Sequence, residues 1–279
     1  MNAAEFSGAV LLASLLAGIV GSLTGLGGGV IVTPALTILL HVDIRYAIGA
    51  SLISVIATSS GSAAAYVKDG LSNIRIGMFL EIATTLGALL GAFLAAYTPT
   101  RALSVIFGII LLQSAWQASR KQSSARKATP PDPIGERLRL NGSLPTKGND
   151  QQPYQVRRVK SGFALMFGAG TLSGLLGIGS GSLKVIAMDQ VMQIPFKVST
   201  ATSNFMIGVT AAASASLYLS RGYVDPRIVM PVMLGVLAGS MLGARLLPRL
   251  PVPLLRKVFA VIVGIGAFEM IYSGVVNSK

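Results

Sequence analysis

The chain has no cysteine. Disulfides, thiolate metal sites and cysteine nucleophiles are thereby excluded, and the compartment stays open. Charge is scarce: 12% of residues are charged, about half the share of a soluble domain. Acid is scarcer still, with ten Asp and Glu against 23 Lys and Arg, and there is a single histidine. Short strands of alternating polarity are missing, which argues against a β-barrel. No HExxH, no Ser-His-Asp set and no Walker lysine occurs. Neither an enzyme nor an ATP-driven pump is supported, and no cofactor or metal is implied.

Apolar sequence fills the space. Hydrophobic residues make up 52% of the chain, with a mean hydropathy of +0.67. They fall into blocks at 7–40, 47–66, 75–97, 101–117, 161–193, 199–219, 227–247 and 254–276. A bilayer-spanning helix needs about 20 such residues, and backbone in lipid must bond within itself. The expected class is an all-α integral membrane protein of about eight membrane helices. The first block has no basic run before it and no small-residue cleavage site, so it is read as a retained helix. The net charge of +13 invites a nucleic-acid partner. Ten of the 23 basic residues lie between 118 and 160, however, as in a basic loop beside membrane helices. No nucleic-acid role is expected.

A shift of 152 residues lays the chain on itself. Gly18 meets Gly170, and Gly25, Gly27 and Gly29 meet Gly177, Gly179 and Gly181. Ser51, Tyr66, Gly70, Arg75, Gly87, Gly91, Ala92 and Phe107 meet Ser203, Tyr218, Gly222, Arg227, Gly239, Gly243, Ala244 and Phe259. The expected organisation is a first repeat at 1–117, a polar, largely flexible cytosolic connector at 118–160, and a second repeat at 161–279.

The first block of each repeat is too long for one crossing, since more than 30 residues reach roughly 45–50 Å. Each is interrupted, by Gly25-Leu26-Gly27-Gly28-Gly29 and by Gly177-Ile178-Gly179-Ser180-Gly181. A helix, a glycine break and a second helix returning to the same side is the preferred reading over one long tilted helix. It brings the count to ten segments and inverts the two repeats. Inversion gathers 17 basic residues on the side of the connector and leaves five on the other, with Lys184 in the membrane. Parallel repeats divide them 15 to seven, a poorer fit to the positive-inside rule.

The breaks are the first candidate site. Three glycines alternate within five residues, twice, and a broken helix offers amide N–H groups to an anion. Gly28 and Ser180 complete them. The spaced pairs Gly87/Gly91 and Gly239/Gly243 are assigned to helix packing. Ser51, Thr58 and Ser62 form a polar stripe on the second block, matched by Ser203, Thr210 and Ser214. Thr202 and Asn204 add donors beside Ser203.

Ionisable residues in a membrane default to functional candidates. Lys184 follows the second break, and its counterpart is Val32. It is expected to meet an anionic substrate or Asp189. Glu81 and Asp189 are candidates for proton coupling, while Glu269 and His41 are expected to face an interface or water.

Gly18–Pro34 (GIVGSLTGLGGGVIVTP) and especially 174–226 (GLLGIGSGSLKV, then IPFKVSTATSNFMIGVTAAASASLYLSRGYVDP) resemble the TauE/SafE family of membrane permeases, also described as sulfite exporters. The resemblance covers both halves outside the connector. It implies a duplicated helical bundle that moves sulfite, sulfoacetate or related small anions. The second break departs from the family's run of three glycines at Ser180, and Ile186 stands where a proline is usual. The returning helices are therefore expected to differ in shape. The expected function is secondary transport of a small sulfur oxyanion or organosulfonate by alternating access in the cytoplasmic (inner) membrane. An anion channel, a carrier of another organic anion and a non-transporting subunit remain alternatives, and a homodimer stays open.

Overall fold

The computed structural model describes residues 3–24, 27–119, 132–145, 151–177, 179–246, 250–251, 254, 257, 260–261, 264–268 and 270–272. Gly25, Ile178, Arg249, Arg256, Phe259 and Glu269 lie outside them.

Helix α1 (Ala3–Thr24) leads to the first break. Helix α2 (Gly29–Pro34) follows and widens into a π-helical stretch, Ala35–Leu39. Helices α3 (Ile44–Lys68), α4 (Ile74–Ala95) and α5 (Thr100–Ser119) complete the first half. The connector carries a short α6 (Pro133–Arg137) and an antiparallel pair, β1 (Gly142–Pro145) and β2 (Gln151–Tyr154). Then come α7 (Val159–Leu176), α8 (Gly181–Ile186), a second π-helical stretch (Ala187–Val191), α9 (Phe196–Ser220) and α10 (Pro226–Leu246). Residues 264–268 and 270–272 are helical as well.

Element boundaries fall in the 152-residue register. Thr24, Gly29, Pro34, Leu39, Ile44, Lys68 and Ile74 correspond to Leu176, Gly181, Ile186, Val191, Phe196, Ser220 and Pro226. Even the left-handed turn residues match, His41 with Gln193 and Gly70 with Gly222. The two returning helices have the same form, against the expectation built on Ile186. The π-stretch opens after Pro34 and after Ile186 alike, so the missing proline N–H is not its cause.

Both first blocks fold as hairpins. The Arg157 amide donates to the Met192 carbonyl (3.1 Å), and a side chain on Gly162 would run into Met192. The corresponding Val10 and Leu40 line one small cleft. Each returning stretch of 11 residues covers roughly 16 Å, half a hydrocarbon core.

Two glycine seams join the halves. Gly87 and Gly91 of α4 lie against the backbone of Phe167 and Thr171 of α7, with Gly170 and Gly174 returning the contact to Thr84 and Ala88. Gly235, Gly239 and Gly243 of α10 lie against Leu11, Leu15 and Ile19 of α1 in the same way. Between the seams α3 and α9 run antiparallel. Gly49 meets Tyr223, Ser59 donates to the Asn204 carbonyl (2.6 Å), and the Asn73 amide donates to Thr202 (3.0 Å).

Apolar side chains face outward along the rim, among them Leu12, Leu16, Met78, Ile82, Leu86, Phe93, Ile109, Trp116, Leu234 and Phe268. Such a surface suits lipid. Among the described residues, four helices are long and apolar enough to cross a membrane: α3, α4, α7 and α10. The protein is an all-α multi-pass membrane protein.

The connector is more structured than its sequence suggests. Leu140, Tyr154 and Val156 are buried against Ile76, Leu80, Met188 and Val198. Asn73 donates to the Leu140 carbonyl (3.1 Å) and to the Tyr154 hydroxyl (2.9 Å). Burial raises the Tyr154 phenol above its usual value, so it stays protonated.

Replacing Gly91 by Leu should force the α4–α7 seam apart and cost about 1–3 kcal/mol. The thermal midpoint of the protein in detergent should fall, and an unmoved midpoint would show that the seam yields without cost.

Candidate functional site

The breaks form because glycine adopts backbone angles closed to other residues. Gly27, Gly177 and Gly179 have φ of +72°, +67° and +68°. Ser180 takes φ +47° without glycine's freedom. Its hydroxyl oxygen is buried and unpartnered.

The two breaks meet. A side chain on Gly29 would press on the Gly177 carbonyl and on Ser51. Gly27 and Gly179 both lie against Val55 of α3, and Gly27 also touches Ile207 of α9, the residue matching Val55.

The polar stripes turn onto the breaks. Ser51 donates to the Gly177 carbonyl (2.7 Å), and the Gly28 amide donates to Thr58 (3.2 Å). Ser203 reaches the Gly181 carbonyl (3.4 Å). Ser54, Thr58, Ser62 and Ser214 also bond back along their own helices, so for Ser62 and Ser214 the local reading holds. Thr202 accepts from Asn73 at the connector end. Asn204 donates to the Ser22 carbonyl (3.0 Å) at the end of α1.

Lys184 is wholly buried on α8. It donates to Thr210 and forms an ion pair with Glu81 of α4, Nζ to Oε2 3.6 Å. The expected partner Asp189 sits half-buried on the π-stretch. Thr210 donates in turn to Glu81 Oε1, and Thr85 donates to the same oxygen (3.1 Å). Glu81, a candidate for proton coupling, is turned toward Lys184 and Thr210. Exposed His41 is apart from the site, as expected.

Two residues escaped the sequence reading as site elements. Tyr66 donates to the Ser22 carbonyl (2.9 Å), and Tyr218 to the Gly174 and Leu175 carbonyls (3.3 and 3.1 Å). Each tyrosine takes up carbonyls freed where the helix stops. Their coincidence in the 152-residue register was the available signal.

The site therefore unites both breaks, both stripes and one cation. What it holds together chemically is a buried ammonium group, several hydroxyls and interrupted backbone, a donor-rich environment suited to an anion.

The family described as sulfite exporter TauE/SafE matches residues 10–270. The chain is similar to the probable membrane transporter protein YunE of Bacillus subtilis, 30% identical over 95% of this chain and 97% of that protein. It is also similar to YdhB of the same organism, a probable membrane transporter protein, at 26% identity over 89% and 93%. The probable membrane transporter protein MJ0441 of Methanocaldococcus jannaschii is 24% identical over 94% of both chains. No solved structure matches the chain.

Ser180→Gly should relieve the left-handed strain and stabilise the fold by about 1 kcal/mol. Ser180→Ala, which keeps the strain, should not. Thermal midpoints of the two variants in detergent separate strain from the hydroxyl.

Proposed function

We propose that this chain, a membrane transporter that belongs to the sulfite exporter TauE/SafE family, carries a small anion across the cytoplasmic membrane by alternating access. Sulfur oxyanions and organosulfonates such as sulfite and sulfoacetate are the proposed substrates. The observation that carries the reading is Lys184, a fully buried cation on the helix that follows the second break. A buried charge in a membrane is costly and is retained for function. Ser51, Thr58, Ser180 and Ser203, with the backbone of Gly27, Gly28, Gly29, Gly177, Gly179 and Gly181, complete the proposed anion site, and Gly25 lies outside the described residues. Thr202 and Asn204 support it from their positions on α9.

We read the two halves as inverted repeats, eight membrane helices with the first of each bent into a hairpin. The shared element boundaries and the antiparallel α3 and α9 support this. Lys68, Arg75, Lys197 and Arg245 then lie at the connector end, and Arg45 and Arg221 at the other. The connector end is accordingly the cytosolic one.

Flux of labelled sulfite and sulfoacetate into proteoliposomes tests the proposal. Saturable uptake is expected, and flux that rises linearly without saturation indicates a channel. Lys184→Ala removes a charge-assisted contact of about 1.5–3 kcal/mol and should raise the half-saturating concentration roughly 10- to 100-fold. An unchanged value takes Lys184 out of the site.

A further inference from the structure

Because the described elements from α1 to α4 fall in register with those from α7 to α10, a place where they differ isolates what one of them does alone. Lys184 and Glu81 are such a place. Their counterparts at the 152-residue shift are Val32 and Met233. Val32 is buried in an apolar cluster with Val229, Val232 and Val236, and Met233 packs against that cluster. The same junction of a returning helix with the third long helix is thus built once from oil and once from an ion pair. The architecture does not need the charges there. Apolar replacements of buried ion pairs are often neutral or stabilising, so the pair needs another reason to be present.

The charge balance supplies it, given the anion site proposed above. With Glu81 ionised, the pair is neutral. A bound anion brings one or two uncompensated negative charges into a buried site beside that carboxylate. Protonation of Glu81 removes one of them, and a singly charged anion then leaves the site neutral again.

The surroundings fit a carboxyl that exchanges its proton. Glu81 keeps 12% of its side chain exposed while Lys184 keeps none, so the carboxylate is the more accessible member of the pair. Among the described residues Oε2 has no hydrogen-bond donor, and it is paired with the ammonium group. Oε1 is held by Thr210 and Thr85, whose hydroxyls can donate to a carboxylate or accept from a carboxyl. The packed elements carry other charged groups. Arg75 is exposed and reaches the Arg139 carbonyl (3.4 Å), and Arg221 bonds the Ala92 carbonyl at the far end of α4. Lys160 is exposed on α7, and Lys197 and Asp189 are half-buried on α9 and the π-stretch.

We infer that Glu81 is the proton-coupling residue: the substrate anion takes its place on Lys184, and Glu81 takes up a proton from water and travels neutral with the anion. One proton moves with each anion. The inference rests on the anion-carrier reading, and its test separates the two.

Sulfoacetate is the probe, since neither of its acidic groups titrates between about pH 6 and 8. Calorimetric titration in buffers of different ionisation enthalpy should show about one proton taken up per sulfoacetate bound to the unaltered protein. Affinity should fall up to about tenfold per pH unit once Glu81 is ionised in the free protein. Glu81→Gln should bind without proton uptake and with affinity independent of pH. In proteoliposomes it should exchange labelled for unlabelled sulfoacetate but fail to accumulate it under an imposed proton gradient. Glu81→Asp should recover proton uptake with a displaced pH profile. The double variant Lys184→Val with Glu81→Met copies the apolar junction of the other half, and should fold and bind no sulfoacetate. Proton uptake or gradient-driven accumulation by Glu81→Gln, or a pH profile of Glu81→Asp identical to that of the unaltered protein, overturns the assignment alone. Absence of sulfite and sulfoacetate binding to the folded, unaltered protein overturns the anion-carrier reading, and this inference with it.

Discussion

A backbone carbonyl or amide freed inside hydrocarbon costs on the order of several kcal/mol unless another group meets it. Two helices stop midway in this protein, and much of its interior answers that demand. Tyr66 and Asn204 converge on the Ser22 carbonyl, and Tyr218 covers Gly174 and Leu175. Ser51 meets Gly177, and Thr58 receives the Gly28 amide. All of these donors and acceptors lie on α3 or α9. The two helices stand between the glycine seams because they carry the polar groups that the breaks require. Their hydroxyls serve structure first, and one hydroxyl of α9, that of Thr210, also meets the cation.

Periodic features were legible in the sequence. The register, the breaks, the hairpins and the packing glycines rest on residue types whose purpose is local, and local purposes repeat with the fold. Lys184 was legible as an anomaly because its counterpart is valine. Its partner was not, since Glu81 belongs to the other half and reaches it only because α4 packs on α7. Tyr66 and Tyr218 stood in register, yet nothing in a phenol's sequence context says which carbonyl it will find. The connector was misjudged for a related reason. Leu140, Leu144, Tyr154 and Val156 are too few to sustain a helical or strand period, and they find their apolar surface on other helices.

The membrane class and the family follow from different kinds of observation that agree. The outward rows of Leu, Ile, Met and Phe need lipid, while the family match spans nearly the whole length, connector included. Neither depends on the buried charges. The chemistry of the site is a separate layer on a fold that tolerates an apolar junction in the equivalent position.

The glycine seams have a consequence for the order of events in a transport cycle. They clasp α4 to α7 and α1 to α10, so each tightly packed unit draws one helix from each half of the chain. Lys184 is tethered to α7 through the second break, and Glu81 rides on α4. Both charges therefore sit on the same side of any shear between the two clasped units. Relative sliding of those units leaves the pair intact, and its parting falls to whatever enters beside it. In the carrier proposed above, occupancy comes first, and displacement follows.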